Sequence, residues 1–563
     1  MADALASGAS DRKIVGVQVP PRPPSWWAQS LLSFNDGAFP SDSRNGDEPN
    51  CSFRHGGVVM ETVVQVAQGQ LRGSVEDGLH VFKGVPFAAP IDGANRFRAP
   101  RPRESWLGVR DATAIGLISR QAPLPPPFGS PLPEAGADCL NLNVWSPDTS
   151  GSLPVYVWIH GGAFYGGSSV EAVYDGASFA RHGVVCVTIN YRLGAQGFLH
   201  LADHFPEFAE SGNAGLLDQI AALKWVQQNI AAFGGDPSRV TIAGESAGGM
   251  SVSSLLASSH AKGLFAQAIP QSGAGHNGIS AKTATVIAGE VLRRLDVKPG
   301  DSTALAKVSD ERLFEVQLEV MALVLEGDSD ILGEAAGSMM PFQPTYHTAI
   351  LPKRPIELIE AGSAAGIKVL TGTTMQESLV FMIAMSPMFS DEMLEAMVTA
   401  TFGSSEKGLA ALEKYRANRP GALPLQISAA VETDRMFIVP CRRLADAQLK
   451  HSPDVWTYRF DWATPVYDGA LGACHALELV FVFNNLGDPA AAYLSGDNAP
   501  QNVADAMHQA WVAFVKTGNP QHAGIPEWTR HNINERPMMQ FNTTSTLGHN
   551  LCADELALWD GVL

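Results

Sequence analysis

Gly244-Glu245-Ser246-Ala247-Gly248 is the segment of this chain whose residue types suit covalent chemistry. A serine with glycine two residues away on each side can occupy a very sharp turn, which holds its hydroxyl clear as a nucleophile toward an acyl carbon. The pattern alone is weak, because 54 of 563 residues are Gly, so its surroundings must decide. Val240-Thr-Ile-Ala243 before it reads as a strand and the residues after it as a helix. That is the strand–turn–helix setting such a nucleophile requires. The helix also directs its positive end at charge developing on a substrate.

Acyl transfer needs N–H donors for the tetrahedral oxyanion. His160-Gly161-Gly162-Ala163-Phe164 follows the apolar run Pro154-Val-Tyr-Val-Trp-Ile159 and so forms a loop at a strand's carboxyl end. Its small residues let backbone N–H groups face a substrate. Gly162 and Ala163 are the predicted donors, with Gly161 supporting them and Ala247, next to the serine, as the third. The acid and base follow in the order Ser, Asp or Glu, His. Glu377 lies just after the strand-like Ile367-Lys-Val-Leu370, on a loop at a strand's carboxyl end, where open α/β sheets carry their sites. A solvated carboxylate is the competing reading of it. Six histidines lie beyond: His451, His475, His508, His522, His531 and His549. His508 reads as packed within a helix. His475 sits among small residues in Gly472-Ala-Cys-His-Ala-Leu-Glu478 and is the candidate base, but local pattern leaves the choice open.

The elements that must position these groups are short apolar strands alternating with helical periods. This predicts an α/β fold, a mostly parallel sheet with helices on both faces. Residues 280–335 and 379–450 are predominantly helical and are expected to roof a pocket, with Phe164 and Leu193 in its walls. Residues 1–59 read as a flexible or loosely docked extension, with the proline run Pro20-Pro-Arg-Pro-Pro24 and the pair Trp26-Trp27 as a possible anchor. Residues 60–563 read as one catalytic domain, with Met60 as a candidate native start.

Composition narrows the function. A net charge of −18 opposes binding to nucleic acid, which demands a basic face. No run approaches the roughly 18 apolar residues of a membrane span. Met1-Ala-Asp-Ala-Leu lacks the basic and apolar regions of a secretory signal. The six cysteines form neither a disulfide framework nor a Cys-x-x-Cys metal motif, so a reducing cytoplasm is expected.

Taken together, these segments resemble the type B carboxylesterases, the family of bacterial para-nitrobenzyl esterases, liver carboxylesterases and cholinesterases. The likeness also includes Phe82-Lys-Gly-Val-Pro-Phe-Ala-Ala-Pro90, Asp138-Cys-Leu-Asn-Leu-Asn-Val144, Asn190-Tyr-Arg-Leu-Gly194 and Asn213-Ala-Gly-Leu-Leu-Asp-Gln219. It extends to Phe233-Gly-Gly-Asp-Pro237, Gln271-Ser-Gly273, Trp511 and Thr517-Gly-Asn-Pro520.

The resemblance implies an α/β-hydrolase fold and a Ser246–Glu377–His475 triad acting through an acyl-enzyme. It implies a supporting Ser272, donors at Gly162 and Ala163, no cofactor and a small ester substrate. A monomer or homodimer is expected. Hydrolysis of carbamates or amides by the same groups, or a non-catalytic binding role, are the rivals. Two departures stand out. Cys139 matches a cysteine that is bridged in secreted relatives, yet its nearest upstream cysteine is Cys51, which points to the intracellular, bacterial-like branch. After Pro341-Phe-Gln-Pro344, residues Tyr346-His347-Thr348 replace the family's usual Asp-Gly.

Overall fold

The structure, a computed structural model, describes residues 61–123, 127–128, 132–338 and 340–563. The extension 1–59, its Trp26-Trp27 pair, Cys51 and Met60 lie outside the described residues. The strands are β1 (Glu61–Val66), β2 (Gly69–Glu76), β3 (Leu79–Pro86), β4 (Val109–Asp111), β5 (Asn141–Ser146), β6 (Leu153–Ile159), β7 (Val185–Ile189) and β8 (Gly235–Glu245). They continue with β9 (Gln267–Gln271), β10 (Ile279–Ser280), β11 (Thr345–Tyr346), β12 (Lys368–Thr374), β13 (Val455–Phe460), β14 (Pro537–Phe541) and β15 (Thr546–His549).

One 13-stranded sheet runs β1-β2-β3-β5-β7-β6-β8-β9-β12-β13-β14-β15, with β4 paired to β2. From β7 to β14 every neighbour is parallel. The flanking pairs are antiparallel except β2 with β4, which is parallel. A parallel sheet must be covered on both faces, and β6 shows how its sequence meets that demand. Val155, Val157 and Ile159 enter one core with the helices Ala214–Asn229 and Ala247–Ala257. Tyr156 and Trp158 enter the other, against Phe179, Phe483 and the helix Gln501–Thr517. A third cluster lies within the helices Asp391–Phe402, Ser405–Ala417 and Pro424–Thr433, with Trp559 from the carboxyl-terminal end.

Two matched segments meet in this core. Arg192 and Asp218, both essentially without solvent contact, form a bidentate pair: Nε donates to Oδ2 and Nη2 to Oδ1, each at 2.7 Å. The same Oδ2 accepts the Arg192 backbone N–H at 3.0 Å. The charges are buried, but most of their hydrogen-bonding capacity is used.

One sequence expectation changes. Phe164 and Leu193 do not wall a pocket. Phe164 is fully buried, packed edge-on against Phe198 (5.1 Å), and Leu193 lies in the same core. Positive φ at Ala163 and Phe164 turns this aromatic ring inward. The Cys139 thiol is free and buried. Where the Asp-Gly pair is replaced, His347 adopts φ 62°.

Candidate active site

β8 ends at Glu245 and the helix Ala247–Ala257 begins two residues later, which leaves Ser246 alone to make the turn at φ 57° and ψ −124°. A non-glycine residue there is strained by about 1–3 kcal/mol, and its surroundings must hold it in place. They do so through the Ser246 N–H, which donates to Gln271 O at the end of β9 (3.0 Å), and Ser246 O, which accepts from Met250 N–H (2.8 Å). The glycines of the motif are needed for close approach. A Cβ on Gly248 would stand 2.0 Å from Ile159 O, and one on Gly244 would stand 2.6 Å from the Gly248 carbonyl. Ser246 itself is partly exposed.

The glycine loop leaves β6 directly beside this turn. A Cβ on Gly161 would lie 2.8 Å from Glu245 O and 3.2 Å from Ser246 Cβ. Gly162 takes φ +100°, and Ala163 follows at φ 53°. The loop is tied internally by Tyr165 and Gly166 N–H groups donating to Gly162 O (3.0 and 2.8 Å). Gly167 exchanges hydrogen bonds with the Gln121 amide (2.7 and 2.8 Å). Among the described residues, the N–H groups of Gly162, Ala163 and Ala247 donate to no protein acceptor. Gly162 and Ala163 are partly exposed, whereas Ala247 is buried. The His160 imidazole, stacked on Tyr191 (4.4 Å), is pushed down to about 4 by burial and so is neutral.

Of the six late histidines, His475 alone meets Glu377, its Nδ1 lying 2.5 Å from Oε2. Glu377 is fully buried, and its Oε1 accepts from Ser272 Oγ (2.6 Å) and Thr374 N–H (2.7 Å). An acceptor fixed in this way selects the Nδ1–H tautomer, which puts the imidazole lone pair on Nε2. That Nε2 is buried and faces away from Glu377. The other histidines are engaged elsewhere. His508 Nδ1 donates to Val482 O (2.7 Å), His531 pairs with Asp446 (2.7 Å), His451 donates to Glu360 O (2.8 Å) and His522 donates to Ala506 O (2.9 Å). His549 ends the antiparallel strand β15.

Three neighbours of His475 escaped the sequence reading. Its ring lies between Phe381 (5.1 Å) and Phe437 (5.0 Å). Phe437 stands on a π-helical turn, Asp434–Ile438, anchored by a hydrogen bond from the Tyr415 hydroxyl to the buried Asp434. Such turns often mark functional positions, but no residue type announces one. Glu245 was in plain view beside Ser246, and its Oε1 stands 3.0 Å from His475 Nε2. Burial, reinforced by repulsion from Glu377 and Glu171, pushes its carboxyl well above the usual range. The two carboxyls beside the imidazole thus differ: Glu377 is held by two donors, whereas burial disfavours the charged form of Glu245. Burial followed by repulsion from Glu245 and Glu377 does the same to Glu478. Its Oε1 accepts from Gln271 (3.2 Å), whose own Oε1 accepts from Trp511 Nε1 (2.8 Å). Among the described residues, no group of three or more metal-ligating side chains occurs and no helix is long and apolar enough to cross a membrane.

A parallel sheet carrying a strained serine after one strand, an acid after another and a histidine beside that acid defines an α/β-hydrolase. The chain belongs to the carboxylesterase family, whose profile matches residues 60–559. It is 41% identical over 491 residues to the para-nitrobenzyl esterase of Bacillus subtilis (strain 168), covering 86% of this chain and 96% of that one. It is 37% identical over 491 residues to phenmedipham hydrolase of Pseudarthrobacter oxydans, covering 84% and 93%. The crystal structure of a Geobacillus stearothermophilus carboxylesterase at pH 6.2 superposes with a TM-score of 0.78 at 37% identity, covering 88% of this chain and all of that one. The protein is a carboxylic-ester hydrolase.

Proposed function

We infer that ester hydrolysis here runs through a Ser246 acyl-enzyme. His475 Nε2 takes the Ser246 hydroxyl proton as Oγ adds to the ester carbonyl, and the oxyanion is received by the N–H groups of Gly162, Ala163 and Ala247. Glu377, steadied by Ser272 and Thr374, holds the imidazole tautomer and stabilises the imidazolium. His475 then protonates the departing alcohol. In the second half it deprotonates water, which releases the acid and restores Ser246. The observation that carries this reading is the buried hydrogen-bonded line Ser272–Glu377–His475, which leaves the Nε2 lone pair on the side of the ring away from Glu377.

A rapid-quench experiment with para-nitrophenyl acetate tests the two steps. The expected result is a burst of para-nitrophenol equal to the enzyme concentration, followed by slower turnover. A burst lost on raising acceptor alcohol would reflect faster deacylation, whereas no acetylated Ser246 under any quench condition would oppose the acyl-enzyme. A cytoplasmic setting and a monomeric or homodimeric state belong to the same reading.

A further inference from the structure

Glu377 and His475 are 98 residues apart in the chain. Glu377 follows β12 and His475 lies in the long loop after β13, so the two loops must be aligned for acid and base to meet. The ladder between β12 and β13 runs to Thr374, and the Met375 N–H extends it by one bond, to Phe460 O (2.9 Å). Gln376 is the first residue off that ladder. Its N–H turns to Ala473 O (2.9 Å), two residues before the base. Its side chain returns to the same residue, where Gln376 Oε1 accepts the Ala473 N–H (2.9 Å).

Among the described residues, three hydrogen bonds join residues 374–378 to residues 469–478: these two and His475 with Glu377 (2.5 Å). Gln376 thus makes every one of these bonds that is not part of the triad. Ala473 has no solvent contact, whereas Gln376 is half-buried, so removing the amide oxygen leaves a buried donor unpaired. Gly472 makes room for that oxygen. It takes φ +60°, and a Cβ there would stand 2.0 Å from Gln376 Oε1.

We propose that Gln376 is a positioning residue for the reaction: it clamps the base loop at Ala473 and so sets where His475 stands relative to Glu377 and Ser246. A base must be held within about half an ångström of its productive place. An error of about 1 Å caused from outside the reacting groups can cost about 10²-fold in rate. The clamp rests on the Ser246–His475–Glu377 reading and adds to it the part that aligns two of its members.

The test compares, in the full-length enzyme, Gln376→Leu, which removes the acceptor, with Gln376→Glu, which keeps an oxygen in its place. Steady-state kinetics on para-nitrophenyl acetate are normalised to sites titrated to completion with a fluorophosphonate. Far-downfield proton NMR reads the hydrogen between His475 Nδ1 and Glu377 Oε2. Gln376→Leu should lower kcat by about 10- to 100-fold, with KM changed by less than about twofold, and should shift or broaden that resonance. Gln376→Glu should restore most of the rate and the resonance. Gln376→Asn, which draws the amide back by one methylene, is read in the same way if the leucine variant does not fold. Unchanged kcat in the folded variant overturns the proposal, as does a loss that Gln376→Glu fails to restore or that leaves the resonance in place. Glu377→Gln separates the two levels of failure. If it loses activity while Gln376→Leu does not, only the clamp falls; if both are fully active, the triad reading falls with it.

Discussion

Replacing Glu377 with Gln changes one atom and little volume, so its effect isolates what the carboxylate does. Its Oε1 accepts from both Ser272 Oγ and Thr374 N–H, and its Oε2 faces His475 Nδ1. Glutamine has one acceptor oxygen for these three donors. If the oxygen stays with Ser272 and Thr374, the amide NH2 faces Nδ1, which must then become the acceptor. The ring proton moves to Nε2, and the base is lost. The flipped amide instead points its N–H groups at the Thr374 N–H and leaves a buried donor unpaired, at about 1–3 kcal/mol.

The first arrangement is thus favoured, and the wrong tautomer should lower kcat by about 10⁴-fold, or roughly 5.5 kcal/mol. Losing only a charge-assisted hydrogen bond, with the tautomer intact, would cost about 1.5–3 kcal/mol, or roughly 10- to 150-fold. Steady-state kinetics on para-nitrophenyl acetate, with active-site titration and a melting curve to confirm folding, distinguishes the two outcomes. A folded variant that loses no more than about 150-fold in kcat would refute the reasoning.

Gly162→Ala should reduce kcat by about 10²–10³, because its Cβ would sit 2.2 Å from Gly166 O and the φ of +100° is strained for alanine, which displaces one oxyanion donor. Unchanged kcat in a folded variant would remove Gly162 from that role. Asp218→Ala leaves the Arg192 guanidinium buried and unpaired, and urea unfolding should show a loss of about 3–5 kcal/mol. The buried Asp434 carboxyl is raised from 3.8 to about 7, chiefly by burial. Stability linked to it is fully present below the ordinary carboxyl range and is lost as pH rises to about 7, by up to about 4 kcal/mol. Asp434→Asn should therefore flatten the decline in melting temperature between those limits, and an unaltered pH profile would count against the buried proton.

Residues whose neighbours in sequence are also their neighbours in space were readable in advance. Ser246, Gly162 and Ala163 are constrained by their own turns, and those turns need glycines at fixed offsets to avoid backbone carbonyls such as Ile159 O. Glu377 and His475 were readable only as candidates, because their pairing depends on β12 and a distant loop being brought together by the sheet. The Tyr415–Asp434 contact behind Phe437 and the inward turn of Phe164 are decided by packing between separate elements. Glu245 was visible, but the upward push on its carboxyl follows from burial beside two other carboxyls, which no local pattern reveals.

The central claim is that Ser246 is the group that becomes acylated. Incubation of the full-length enzyme with a fluorophosphonate, followed by peptide mass spectrometry, should find one adduct on the peptide containing Ser246, with activity falling in proportion to occupancy. Ser246→Ala should take up no label and hydrolyse no ester above background. Stoichiometric labelling elsewhere that abolishes activity, or full activity in the alanine variant, would contradict the account.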